Sequence, residues 1–315
     1  MLGTICSSRR LSMAKPVFLY ATGTAFLTQV LGVNLAPIGG GPGNTIVANG
    51  KKYFMDYITN DPFWLMLDNQ IWDARKIPYP ASAWPMSASI ASGVGMVKAA
   101  INALPSGTPF CLGGYSQGAA VMSDVYDALR TGDMTSKASQ FKGAVLFGNP
   151  RRQEDFTAPG VTWSGAAGQA GTTTGGSGCF PTRLASCEYG KWNEYVNYDE
   201  VIAAIGTDTN GAGFRSLVGW LTGLSDPITA ISGALSGTWS AGLALAQATG
   251  DFGHVRYPMS APLTGPTTVT GTKTSYELAL DFLATVATDV SAGPILPATH
   301  PSLNHPWTIV RPSAA

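Results

Sequence analysis

Two hydrophobic rhythms alternate along this chain. Short unbroken apolar runs at Val17 to Ala21, at residues 109–113 (PFCLG) and at 143–147 (GAVLF) read as buried strands. Between the first two, Ile90, Val94, Val97, Ile101 and Leu104 are spaced four, three, four and three residues apart, which lines one face of a helix. Pro105, Ser106 and Gly107 end it. Residues 119–129 predict a second helix with Val121, Val125 and Leu129 on one face. A strand is expected near 194–198, and a late helix from Tyr276 to about Val290. Strands that are apolar throughout, alternating with amphipathic helices, predict an α/β fold with a parallel sheet covered on both faces.

The intervening stretches have their own composition. Residues 35–44 form a glycine-rich turn without the Lys and Ser/Thr of a phosphate-binding loop. Residues 77–86 (IPYPASAWPM) read as extended and proline-rich, and 164–178 as a low-complexity surface loop. Residues 211–249 are apolar and helical in pattern, with Arg215 and Asp226 the main charges. The expected organisation is a leader over 1–13, a core over 14–210 and a helical insertion over 211–250. The core then resumes over 251–295, and a proline-rich tail covers 296–315.

Composition narrows the function. Charged residues are 12% of the 315, about half the usual share, and the 19 basic and 19 acidic residues cancel. A neutral chain without basic runs is a poor nucleic-acid binder, because such binding rests on neutralising phosphates. Three His and four Cys without a CxxC pair or HExxH argue against a zinc site. No cofactor is implied. Cys179 and Cys187 flank a short loop and are candidates for a disulfide. Arg9 and Arg10 precede an uncharged stretch from Pro16 to Asn34, the pattern of a twin-arginine leader. The favoured alternative makes residues 17–21 the first strand of the fold.

The candidate chemistry centres on Gly114-Tyr115-Ser116-Gln117-Gly118, a GxSxG motif between an expected strand and an expected helix. That context turns the chain sharply and projects the Ser116 hydroxyl from the sheet edge. A serine hydroxyl needs a base. His254, in a loop before the last helix, fits the order serine, acid, histidine, with His305 in reserve. Asp199, just after an expected strand, is the candidate acid and Glu200 its nearest rival. The backbone N–H of Gln117 and the loop carrying Thr24 are the expected oxyanion donors.

Four stretches in order, KPVFLYATGT at 15–24, IPYPASAWPM at 77–86, GGYSQGA at 113–119 and VLFGNPRRQ at 145–153, resemble the mycobacteriophage lysin B family within the wider cutinase-like group. The resemblance implies an α/β-hydrolase with Ser116 as nucleophile, Asp199 as acid, His254 as base, and Thr24 with Gln117 as oxyanion hole. It also implies a helical subdomain between acid and histidine, where residues 211–249 stand. The implied activity is hydrolysis of the ester joining mycolic acids to arabinogalactan at the mycobacterial envelope, by an enzyme released at lysis or secreted. No obligate protein partner is implied. Two alternatives stand beside it: a secreted cutinase or lipase acting on other fatty esters, and an envelope-binding or virion protein that has lost the chemistry.

Overall fold

In a computed structural model the residues described are 15–24, 45–48, 51–54, 63–82, 85–158, 176–196, 202–205, 212, 215–216, 218–219, 223, 275–291 and 307–310. The elements in chain order are β1 (Val17–Ala21), β2 (Thr45–Ala48), β3 (Lys51–Phe54), β4 (Asp73–Lys76), α1 (Met86–Asn102) and β5 (Phe110–Tyr115). They continue with α2 (Gln117–Thr131), β6 (Phe141–Phe147), β7 (Trp192–Tyr195), α3 (Ser275–Ser291) and β8 (Trp307–Val310).

The main sheet has the order β4-β1-β5-β6-β7, and every pair in it is parallel. β1 lies between β4 and β5, so both of its edges are paired, and all five of its side chains are buried, so both of its faces are covered. Alternation along the strand then sorts them. Val17, Leu19 and Ala21 enter one core with Ile90, Val97 and Ile101 of α1 and Val121 and Val125 of α2. Phe18 and Tyr20 enter the other with Phe63, Trp72, Phe147 and Tyr276. The Tyr276 ring, at the start of α3, lies 4.9 Å from Phe63 and 4.7 Å from Phe147. This doubly covered parallel sheet is the α/β-hydrolase type of architecture expected from the sequence.

All three predicted helices form, the first two on the predicted faces, with Val94 only partly buried and Leu104 just past the end of α1. The strand expected near 194–198 runs from Trp192 to Tyr195, set by pairing Ala144 with Trp192 and Phe147 with Tyr195. Two features depart from expectation. Cys179 and Cys187 form no disulfide: Cys179 is buried in the core and Cys187 packs against that core. The stretch read as a proline-rich tail contains β8, which pairs antiparallel with β2 in a second sheet of order β3-β2-β8.

Of the apolar stretch 211–249, residues 212, 215–216 and 218–219 are helical. There Arg215 is buried and donates to the Ser177 hydroxyl at 2.9 Å and the Gly178 carbonyl at 3.3 Å, and Val218 joins the core. Most of that stretch, the low-complexity segment and the leader lie outside the described residues. Among the described residues no helix is long and apolar enough to cross a membrane.

Candidate active site around Ser116

β5 ends at Tyr115 and α2 begins at Gln117, which leaves one residue for the whole reversal. That residue is Ser116, with φ 53° and ψ −121°. A non-glycine residue with positive φ is costly and persists only where its surroundings enforce it. Here they do. The Ser116 N–H donates to the Phe147 carbonyl at 2.9 Å, extending the β5–β6 ladder by one residue. Its own carbonyl accepts from the N–H groups of Ala119 at 2.9 Å and Ala120 at 3.2 Å, starting the helix. The side chain is only partly buried, in the exposed elbow that the motif predicts.

Glycine is required beside it. A Cβ on Gly118 would lie 2.0 Å from the Ala21 carbonyl oxygen and 2.6 Å from that of Thr22. The first turn of α2 therefore rests directly on the end of β1. This close approach brings the loop after β1 over the elbow. A Cβ on Gly23 would stand 2.8 Å from the Tyr115 ring and 3.2 Å from Cβ of Ser116. Thr24, the next residue, is partly buried. The two segments expected to supply oxyanion donors are thus adjacent. The Gln117 N–H stands at the first helical position of α2, where no intrahelical acceptor exists and the helix dipole favours negative charge.

The Gln117 side chain is turned inward and 1% exposed. It donates to the Ser82 carbonyl at 2.8 Å and accepts from the Ser89 hydroxyl at 3.2 Å, while that hydroxyl accepts from the Ser82 N–H at 3.0 Å. Tyr79, also buried, donates its hydroxyl to the Thr22 carbonyl at 2.5 Å. The stretch 77–82, read from sequence only as extended, thus ties the elbow and the loop after β1 together. Sequence reasoning missed these two roles, although an aromatic side chain between prolines and without helical or strand periodicity was a signal.

Asp199, Glu200, His254 and His305 lie outside the described residues. The ends of the Asp199 segment are described. Val196, just past β7, is fully buried, and residues 202–205 are held by backbone bonds between Ser177 and Ile205, both 2.9 Å, and from Cys179 N–H to the Ile202 carbonyl at 2.8 Å. Arg152, with no exposed surface, donates to the carbonyls of Ala203 at 2.5 Å, Phe156 at 2.8 Å and Gly176 at 2.7 Å. Its neighbour Arg151 serves a different end of the fold, pairing with Asp124 and Asp127 of α2 and donating to the Thr182 carbonyl.

Below the elbow a buried polar chain links three elements. The Ser123 hydroxyl of α2 and the Asn149 side chain after β6 are 3.0 Å apart. The Asn149 amide and the Trp192 indole N–H each donate to the same Glu194 carboxylate oxygen at 2.8 Å.

Residues 61–203 match the cutinase family model. The matched span contains Ser116 and Asp199 and leaves out Thr24 and His254. Lysin B from mycobacteriophage D29 is 19% identical with a TM-score of 0.48, over 86% of this chain and 100% of that one. A cutinase-like protein from Cryptococcus sp. is 16% identical with a TM-score of 0.38, over 77% and 97%. An acetylxylan esterase is 20% identical with a TM-score of 0.36, over 67% and 98%. No curated protein matches the chain.

Proposed function

We propose that this chain, whose residues 61–203 carry the cutinase-family match, is a serine esterase that cleaves the ester between mycolic acids and arabinogalactan. The observation that carries the esterase reading is the strained Ser116 elbow, with the loop after β1 held over it. In the mechanism His254 takes the proton from Ser116 as its oxygen attacks the ester carbonyl, and Asp199 orients and stabilises the imidazolium. The tetrahedral oxyanion is held by the Gln117 N–H and by the loop at Thr24. Collapse expels the sugar alcohol with a proton from His254, and water then cleaves the acyl-enzyme by the same steps.

The substrate reading is supported by the four lysin B-like sequence stretches and by the nearly uncharged residues 211–249, which would wall a long acyl chain. Each methylene removed from water contributes about 0.8 kcal/mol, so a few carbons in contact outweigh modest recognition of the alcohol. The enzyme would act at the mycobacterial envelope, released at lysis or secreted.

The test is fluorophosphonate labelling at Ser116, then lipid mass spectrometry of treated mycobacterial envelope. Parent protein should release free mycolic acids and Ser116→Ala should not. In Ser116→Ala, turnover of p-nitrophenyl butyrate should fall about 10⁴-fold with the fold intact. Cleavage of cutin or triglyceride without mycolate release would replace this substrate by other fatty esters. An unlabelled, inactive parent would leave a binding protein.

A further inference from the structure

We propose that Tyr79 is a positioning residue for the oxyanion loop: its hydroxyl holds the Thr22 carbonyl and so sets the turn that carries Gly23 and Thr24 over Ser116. The inference rests on the serine esterase reading and deepens it.

The Thr22 carbonyl and the Gly23 N–H belong to one rigid planar unit, so fixing the oxygen fixes the plane. Two groups confine that oxygen. Gly118 approaches so closely that a Cβ there would lie 2.6 Å from it, and the Tyr79 hydroxyl donates to it at 2.5 Å. The turn therefore has a floor, the first turn of α2, and a fastener, Tyr79. Beyond Ala21 the chain has left the β1–β5 ladder, whose last pair is Ala21 with Gly114. From there the Tyr79 bond anchors the loop where the sheet no longer does.

Tyr79 is itself well placed to act as a fixed point. Its ring is packed in the core beside Ile77, and the Ile77 N–H donates to the Tyr20 carbonyl at 2.8 Å, which ties the segment to β1. Three residues on, the Ser82 carbonyl accepts from the Gln117 side chain. One short segment thus grips both sides of the expected oxyanion site, the loop after β1 through Tyr79 and the start of α2 through Ser82. Burial pushes the Tyr79 phenol well above its ordinary range, so it stays a donor at every pH at which the enzyme would work.

An oxyanion donor acts on the charge that develops in the transition state, so misplacing it lowers kcat and leaves ground-state binding alone. The test deletes one hydroxyl. Tyr79→Phe is compared with Tyr126→Phe, which removes a half-buried hydroxyl that accepts from the Glu188 N–H at 3.0 Å, far along α2 from the elbow. With p-nitrophenyl butyrate, Tyr79→Phe should lower kcat at least tenfold with KM within about twofold. Affinity for an alkylboronic acid, which mimics the tetrahedral oxyanion, should fall by the same factor as kcat/KM. The pH midpoint should not move, because the base is untouched. Tyr126→Phe should keep the parent kcat.

Thermal melts of both variants confirm folding. If Tyr79→Phe retains the kinetics of Tyr126→Phe, or if KM rises while kcat and boronate affinity hold, the inference is overturned and the esterase reading survives. A parent protein that neither turns over ester nor takes a fluorophosphonate label overturns both.

Discussion

The N–H of Ser116 donates to the carbonyl of Phe147 at 2.9 Å, so the strained elbow residue is the last rung of the ladder between β5 and β6. The strain is thereby carried by the centre of the sheet, where five parallel strands and two aromatic and aliphatic cores resist adjustment.

Gly118→Ala tests the packing that this arrangement needs. The added methyl would lie 2.0 Å from the Ala21 carbonyl oxygen and 2.6 Å from that of Thr22, both of them backbone atoms. Overpacking of this kind costs about 3 kcal/mol. The variant should unfold at clearly lower urea concentration than the parent and lose most fluorophosphonate labelling even where it remains folded. A parent-like unfolding midpoint together with parent-like labelling would mean that α2 does not rest on the end of β1.

The rate should rise with pH through one ionisation near that of an imidazole, about pH 6–7, since only the neutral ring accepts a proton. His254→Ala should abolish both the activity and that dependence. Asp199→Asn should impair turnover far more than Glu200→Gln. A pH–rate profile of the variants checks all three, and loss of the ionisation in His305→Ala instead would move the base to the tail.

Arg152→Met should destabilise the fold by about 3–5 kcal/mol, because two buried carbonyls and one partly buried one lose a charged donor at once. Arg152→Lys should fall between the two, as one ammonium cannot span three segments in the guanidinium's planar fork. Urea unfolding measures both. A cost under about 1 kcal/mol for Arg152→Met would show that the loops around 156, 176 and 203 hold without it.

Alkaline pH should unfold the protein. Burial raises the phenols of Tyr79 and Tyr195 above their ordinary value near 10, the latter aided by the charge of Asp281. Groups with a raised folded value bind their proton more tightly in the folded state. Their contribution to stability is therefore complete below about pH 10 and is lost as pH climbs beyond it. Urea midpoints at pH 8 and pH 11 should differ clearly. Tyrosinate absorbance near 295 nm should show a late component that appears together with unfolding.

Much of the sheet was legible from its composition. VFLYA and GAVLF are apolar on every residue because their strands are covered on both faces, and the helix over residues 86–102 announced itself by spacing. β4 was not legible: among the described residues it is an edge strand pairing only with β1, and its four residues, Asp-Ala-Arg-Lys, carry no buried pattern. β8 was hidden because its partner, β2, lies more than 250 residues earlier, and no local rhythm reports such a pairing. A signal did exist for β2 and β3, since Asn49-Gly50 between them is the dipeptide most favoured in a two-residue hairpin. At the site, the GxSxG motif located the strand-to-helix turn at Ser116. The Tyr79 hydroxyl and the inward Gln117 amide were missed because each acts on backbone atoms, and a backbone carbonyl has no letter in the sequence.

The position of β1 bears on how the chain is made. Its two neighbours in the sheet begin at residues 73 and 110, so the Val17–Ala21 strand leaves the ribosome long before either exists. Until then an uncharged, wholly apolar segment with two aromatic side chains waits with both edges open, a form that invites pairing with other nascent chains. Slowing translation between residues 76 and 110, or withdrawing a chaperone that shields such segments, should cost soluble yield more than a comparable delay after β6 has formed.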